Sequence, residues 1–379
     1  MTCSTARRCY CKQDRMADKE FRRRRKSVRC GSLLALVVAA LLTAGCAGPV
    51  LQRSPARFQA PALHDGYVAM GDGYRLPLSR WMPDGDPQAV VLALHGFNDY
   101  RRAFYDLGRF LARRGIATYA YDQRGFGGSP HRGIWPGSER LVEDAGQVLR
   151  RLHRRYPGVP VYLLGESMGG AVALSLAAEP GAPGTDGLIL AAPAVWGRQS
   201  MNVFIRTALW IGVRTAPGHL WTGRNLDIHP TDNQSVLRAM ARDPLVIKAT
   251  RTDALWGVTN LMDRASEAAA HITQPSLVLY GEQDDIIPKP PTCRMLRRLP
   301  EVVDATVALY PHGYHMLLRD READDVMADV AAWMAHPRRQ LPAADYRAPR
   351  GAWRDVLCGD SNAGAADVDL RQSRPHSNP

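Results

Sequence analysis

No Asp, Glu, Lys or Arg occurs between Gly31 and Gly45. Charge is unevenly spread elsewhere too. The 379-residue chain has a formal net charge of +12, but residues 1–30 hold eleven Lys and Arg against three Asp and Glu, a surplus of 11 − 3 = +8. Only 12 − 8 = +4 remains from Cys46 onward, which leaves no electrostatic footprint for nucleic acid in the body of the chain. Cysteine is scarce there: past Cys46 only Cys293 and Cys358 occur. No His, Cys and Asp cluster has metal-ligand spacing, so no metal is expected. No internal repeat is visible. The "GFGG" at 125–128 has neither the spacing nor the later acidic residue of a dinucleotide fingerprint, and no cofactor is expected.

The uncharged run "GSLLALVVAALLTAG" is too short for a comfortable membrane-spanning helix. A basic stretch, a short apolar one and then small residues make a signal peptide, which argues against reading "FRRRRKSVRC" as a nuclear or nucleic-acid patch. "LTAGC" is similar to a bacterial lipobox, with Thr43 where leucine is commoner. Cys46 is therefore the expected lipidation site, on a protein of the bacterial cell envelope held at a membrane surface and facing the periplasm. An uncut apolar anchor is the alternative. Met16 offers a second start, which would remove Cys3, Cys9 and Cys11; no partner ligands flank those three. Cys293 and Cys358 have the chemistry to pair in an oxidising compartment, but Cys358 lies in a polar tail, which argues against it.

Residues 1–45 read as the signal segment and 46–62, rich in Pro and Ala, as a tether. From 338 to 379 there is no apolar period, and disorder is expected. Residues 63–337 form the ordered body. Within it, short apolar runs at 89–96, 116–122, 161–167, 187–195, 276–282 and 306–313 fit strands buried on both faces. Helix candidates at 100–114, 138–155, 168–179, 289–299 and 320–336 alternate with them, and two runs near 66–83 suggest an antiparallel start. This is an α/β fold with a mostly parallel central sheet flanked by helices. Eighty residues lie between Ala194 and Pro275, where a helical crossover needs about a dozen. The insertion, about 196–272, reads as a helical cap over the end of the sheet.

The chemistry starts at "LLGESMGGAVAL". An apolar strand runs into Gly165-x-Ser167-x-Gly169 and then into a helix, the context of a nucleophile elbow. A serine hydroxyl needs a base, a group to orient that base, and donors for the oxyanion. The unpaired N–H groups at the following helix start make the Met168 N–H one donor. The turn "HGFND" after the first long strand supplies Phe97 N–H as the other; His95, closing that strand, is better placed to fix the loop than to act as base. "GEQDDIIP" offers Asp284 and Asp285 as the acid, and "PHGYHMLL" offers His312 and His315 as the base. Asp122 and Arg124 of "YDQRGFGGS" read as an internal pair clamping a Gly-rich loop.

Taken together, "HGFNDY", "YDQRGFGGS", "GESMGG", "DPL" at 243–245, "GEQDDIIP" and "GYHMLL" resemble the α/β-hydrolases of the monoacylglycerol lipase and lysophospholipase group, the S33-like hydrolases, over roughly residues 70–335. The resemblance implies the chain order Ser167, Asp284, His315, with Asp284 preferred to Asp285 and His315 to His312. Glu166 stands where many relatives have histidine, and "HGFND" departs from the more glycine-rich loop of the mammalian enzymes. The implied activity is hydrolysis of carboxylic esters, acylglycerols or lysophospholipids, through an acyl-enzyme. Alternatives on the same residues are acyltransferase, thioesterase or peptidase chemistry, or a non-catalytic lipid-binding lipoprotein.

Overall fold

The computed structural model describes residues 48–53, 58–223, 227–337, 341–343, 346–348 and 357–359. Residues 1–47, on which the expected signal segment and Cys46 fall, and most of the C-terminal stretch lie outside the described residues. Ten strands make one sheet in the order β1-β2-β3-β5-β4-β6-β7-β10-β11-β12. β1 (Ala62–Leu63), β2 (Tyr67–Ala69) and β3 (Arg75–Trp81) form an antiparallel edge. β4 (Ala89–Leu94), β5 (Ile116–Tyr121), β6 (Val161–Glu166), β7 (Gly187–Ala191), β10 (Ser276–Gly281) and β11 (Ala305–Tyr310) run parallel. Alternate residues of β4 feed two cores: Val90, Leu92 and Leu94 on one face, Ala89, Val91 and Ala93 on the other. Burial on both faces is why these strands read as unbroken apolar runs.

Helices α1 (Tyr105–Ala112) and α8 (Ala323–Ala335) cover one face. α2 (Ser138–Arg155), α3 (Met168–Ala177), α6 (Thr252–Ala268) and α7 (Lys289–Arg298) cover the other. α3 is buried at every position from Met168 to Leu176, so its sequence is apolar all round rather than striped. The elements between β7 and β10 are α4 (Val203–Thr215), β8 (Leu220–Trp221), α5 (Gln234–Arg242), β9 (Thr250–Arg251) and α6. α6 does not belong to the cap as expected from the sequence. Leu261 and Ala265 are fully buried in the main core, so the projecting part narrows to about 197–251.

Three further expectations are corrected. The first concerns the loop clamp. Arg124 does not pair with Asp122; its guanidinium is shared between Asp144 (2.8 Å) and Asp72 (2.8 Å), while Asp122 accepts from Arg101 and from the Gly128 N–H. Burial pushes the Asp144 carboxyl up to about 6 against the pull of Arg124. The second concerns the tether. Its described residues are seated on the body, with the Gln59 N–H donating to Gly71 O at 2.8 Å and Ala62–Leu63 pairing with β2. The third concerns the tail. Cys293 and Cys358 form a disulfide, Leu341 and Leu357 are buried, and β12 (Tyr346–Ala348) adds antiparallel to β11. The two leucines are buried with this stretch, although they set no period in the sequence.

Candidate active site

Ser167 sits between β6 and α3 with φ 51° and ψ −116°, a left-handed conformation that costs energy for any residue but glycine. The turn is held by its neighbours: the Ser167 N–H donates to Ala191 O (2.9 Å), and Ser167 O accepts from Ala194 N–H (2.9 Å). Glycine is obligatory on both sides. A Cβ on Gly165 would collide with the Gly169 carbonyl, and one on Gly169 with the Leu94 carbonyl. Strand, elbow and helix therefore pack backbone to backbone, and the side chain of Ser167 is lifted to the C-terminal end of the sheet.

Asp284 and His315 reach the same end of the sheet from the turns after β10 and β11. His315 Nδ1 lies 2.8 Å from Asp284 Oδ2. The other carboxylate oxygen accepts from the Ile286 N–H (2.8 Å) and the Ile287 N–H (2.9 Å). A carboxylate so held only accepts, which puts the Nδ1 proton on the histidine and leaves Nε2 as the basic nitrogen. Both side chains are buried. Asp285 and His312, the alternatives open in the sequence, are different: Asp285 is half-exposed near His229, and His312 points to solvent. Among the described residues the Ser167 hydroxyl has no hydrogen-bond partner, and neither do the Phe97 and Met168 N–H groups. Gly96 brings the first strand's turn against the elbow, since a Cβ there would lie 3.4 Å from Ser167 Cβ.

His95 is not a base. Its Nδ1 bonds Gly96 O (2.8 Å), its Nε2 accepts from the Gln123 N–H (2.9 Å), and burial lowers its pKa. It is a neutral strut for the loop that carries Phe97. Asn98 continues that loop at φ 65° and reaches the cap: its O accepts from Ile247 N–H (2.9 Å), and its Nδ2 donates to Thr250 Oγ1 (2.7 Å). The Tyr100 hydroxyl donates to Asp243 of the same segment at 2.6 Å. On the histidine side, Met316 N–H donates to Pro230 O (2.9 Å) and Arg321 N–H to Asp232 (2.9 Å).

One part of the site was missed in the sequence. Arg319, 11% exposed at its side chain, joins Glu166 (2.9 Å) and Asp99 (2.6 Å). The Asp99 contact is an ion pair out of line for a hydrogen bond, and Glu166 Oε1 is buried without any partner. Arg319 thus ties together the residue before the nucleophile, the loop after β4 and the loop of the histidine. Burial alone would lower the Arg319 pKa, but the two carboxylates hold it above its ordinary value. Burial raises Glu166 above its ordinary 4.5, with Arg319 opposing. The pH consequence has a definite sign. A carboxyl that keeps its proton longer when folded stabilises fully below about 4.5 and loses that contribution as pH rises through the folded value. Glu166→Gln should therefore gain stability relative to the wild type as pH is raised from 4.5 towards neutrality. Denaturation midpoints at a series of pH values read this, and parallel curves for the two proteins would refute it.

No group of three or more metal-ligating side chains occurs among the described residues. Residues 85–322 match the family described as serine aminopeptidase, S33. The monoacylglycerol lipase of Mycolicibacterium smegmatis is 28% identical over 269 residues, covering 69% of this chain and 93% of that one. Human monoglyceride lipase is 28% identical over 282 residues, covering 71% and 89%. Among solved structures, a soluble variant of the Saccharomyces cerevisiae monoglyceride lipase, in complex with a substrate analog, superposes with a TM-score of 0.61 at 19% identity, over 76% of this chain and 98% of that one. Sheet order, elbow and relatives together define an α/β-hydrolase of the carboxylic ester hydrolase class. Within that class the chain belongs to the serine aminopeptidase S33 family.

Proposed function

We propose that Ser167, His315 and Asp284 form a catalytic triad that hydrolyses esters of amphiphilic lipids, monoacylglycerols or lysophospholipids, in a protein tethered by lipid at Cys46. The observation that carries the mechanism is the buried His315–Asp284 pair facing the same sheet end as an elbow serine with free N–H donors beside it. His315 Nε2 takes the Ser167 proton as Oγ attacks the ester carbonyl. The imidazolium that forms is stabilised by Asp284. The carbonyl oxygen, now negative, is received by the Phe97 and Met168 N–H groups. Collapse breaks the ester C–O bond, and His315 returns its proton to the leaving alcohol. A water, deprotonated by the same nitrogen, then attacks the acyl-enzyme and releases the acid.

The substrate class is supported by the relatives named above, monoacylglycerol and monoglyceride lipases, and by the cap's exposed Phe204, Trp210 and Trp221. Cys46 and the export segment are supported by the sequence pattern alone. The test is a panel of 1-acylglycerols, lysophosphatidylcholines, acyl thioesters and aminoacyl amides, followed by product analysis with and without an added alcohol acceptor. Release of free fatty acid from the first two substrates is expected. Turnover confined to thioesters or amides, or acyl transfer to the alcohol in place of hydrolysis, would overturn the assignment.

A further inference from the structure

The N-terminal segment is seated at a particular place. Gln52 makes four hydrogen bonds to the body. Its N–H donates to Trp135 O (3.1 Å), its Nε2 to Ile134 O (2.6 Å) and His131 O (3.3 Å), and its Oε1 accepts from the Tyr74 hydroxyl (2.9 Å). Two residues earlier, Val50 N–H donates to Asp253 Oδ2 at 3.3 Å. The adjacent Thr252 accepts from Trp221 Nε1 (2.9 Å), and its methyl lies against α4, 3.2 Å from where a Gly212 Cβ would be. Val50 is therefore set down at the rim of the cap, where the β8–β9 pair meets α4. Trp135, to which Gln52 is bonded, has its ring 6.3 Å from that of Phe97.

Two properties single out this rim. Val50, Leu51, Leu220 and Trp221 are all exposed there, and Phe204 on α4 is 82% exposed. Large apolar side chains gathered in this way mark an interaction surface, whereas single ones are ordinary. The charge is also local. Residues 197–251 hold eight Lys and Arg against three Asp and Glu, a net +5. The rest of the chain from Cys46 then carries 4 − 5 = −1, and although Arg198 and Arg251 are paired with Asp263 and Asp253 just outside the stretch, the cap keeps an unpaired positive surplus of 5 − 2 = +3. Basic residues are drawn to an anionic lipid surface. Only residues 47–49 separate Val50 from Cys46, a reach of at most about 14 Å.

We propose that Val50–Gln52 is a brace. It holds the membrane-attached N-terminus at the cap rim, so that the apolar, basic face of the cap lies against an anionic bilayer and the active site beneath it opens toward the lipid. The proposal rests on the attachment proposed above. A lipidated Cys46 and an uncut apolar run at 31–45 place hydrocarbon at the same point, so either one serves.

The test uses the full chain, processed in a bacterial envelope and reconstituted into vesicles of phosphatidylethanolamine and phosphatidylglycerol. An environment-sensitive fluorophore is attached at Phe204→Cys, Trp221→Cys or Val302→Cys, the last being exposed between α7 and β11 at the far end of the sheet. Doxyl-labelled lipid is expected to quench the first two labels several-fold more than the third. The double variant V50P/Q52A should stay attached yet lose most of that contrast. Equal quenching at all three positions refutes the orientation. So do cap labels that remain open to aqueous iodide. Cap labels shielded from iodide but untouched by doxyl lipid would give the face to a second copy of the chain or to another protein, again against the proposal. A persisting contrast in the double variant refutes the brace. A chain that floats free of the vesicles refutes the attachment itself, an outcome distinct from the others.

Discussion

Ser167→Ala is expected to lower kcat for ester hydrolysis by about four to six orders of magnitude, with the fold intact. The size follows from what the hydroxyl does. On the proposed mechanism no acyl-enzyme forms without it, and only binding and the oxyanion donors remain to act on a water. The fold should survive because the Ser167 side chain makes no hydrogen bond among the described residues and its backbone is held by the Ala191 and Ala194 contacts. Asp284→Asn should cost about 10⁴, since an amide that donates to His315 Nδ1 would select the wrong tautomer. The double variant Ser167→Ala, His315→Ala should be no worse than the first alone, because members of one unit do not lose rate additively. A fluorophosphonate probe gives the direct reading: label on the wild type and none on Ser167→Ala. Label on both would mean that another serine reacts, and no label on a folded wild type would remove the triad as assigned.

Arg319→Met should destabilise the protein by about 3–5 kcal/mol, because it strands two buried carboxylates, Asp99 and Glu166, without their shared cation. For a domain of this size that is a fall in Tm of roughly 10 °C. The effect should be largely specific to the stranded charge. Adding Glu166→Gln to Arg319→Met should restore a substantial part of the loss, whereas two independent sites would simply add. Thermal midpoints of the four proteins of the cycle measure this. A loss below about 1 kcal/mol, or strict additivity, would mean that the cluster is solvated or dispensable.

The parts of the fold that the sequence disclosed are those whose signal is local. The parallel strands show because two-sided burial leaves them mostly apolar, with only isolated polar residues such as Thr118, Ser276 and Thr306. The elbow shows because Gly165, Ser167 and Gly169 are crowded into five residues by a backbone contact that only glycine allows. Arg319 did not show, because its partners lie 153 and 220 residues away and each alone looks like an ordinary charged residue. The Asp122–Arg124 pairing failed for the converse reason: proximity in sequence suggested a pair, while the fold supplied Arg101 to one and Asp72 with Asp144 to the other. Gln52 binds mostly main-chain carbonyl groups, and those leave no trace in residue types. The Cys293–Cys358 bridge joins residues 65 apart, the second of them in a stretch whose mostly polar composition hid it.

The ties between the cap and the loops of Phe97 and His315 bear on how a substrate would reach the proposed triad. Pro230 and Asp232 are bonded to the residues flanking the histidine loop, and Asp243, Ile247 and Thr250 to the loop that carries Phe97. That half of the cap is geared to both loops: swinging it outward would drag the His315 loop and the Phe97 loop apart. Among the described residues the stretch from 197 to 219, with α4, has no such hydrogen bond to either loop, whereas Leu220 and Trp221 pair with Arg251 and Thr250. If the site works as proposed, the part of the cap left free to yield to an acyl chain is α4 and its flanks, one leaf of a door whose other leaf is bolted to the frame.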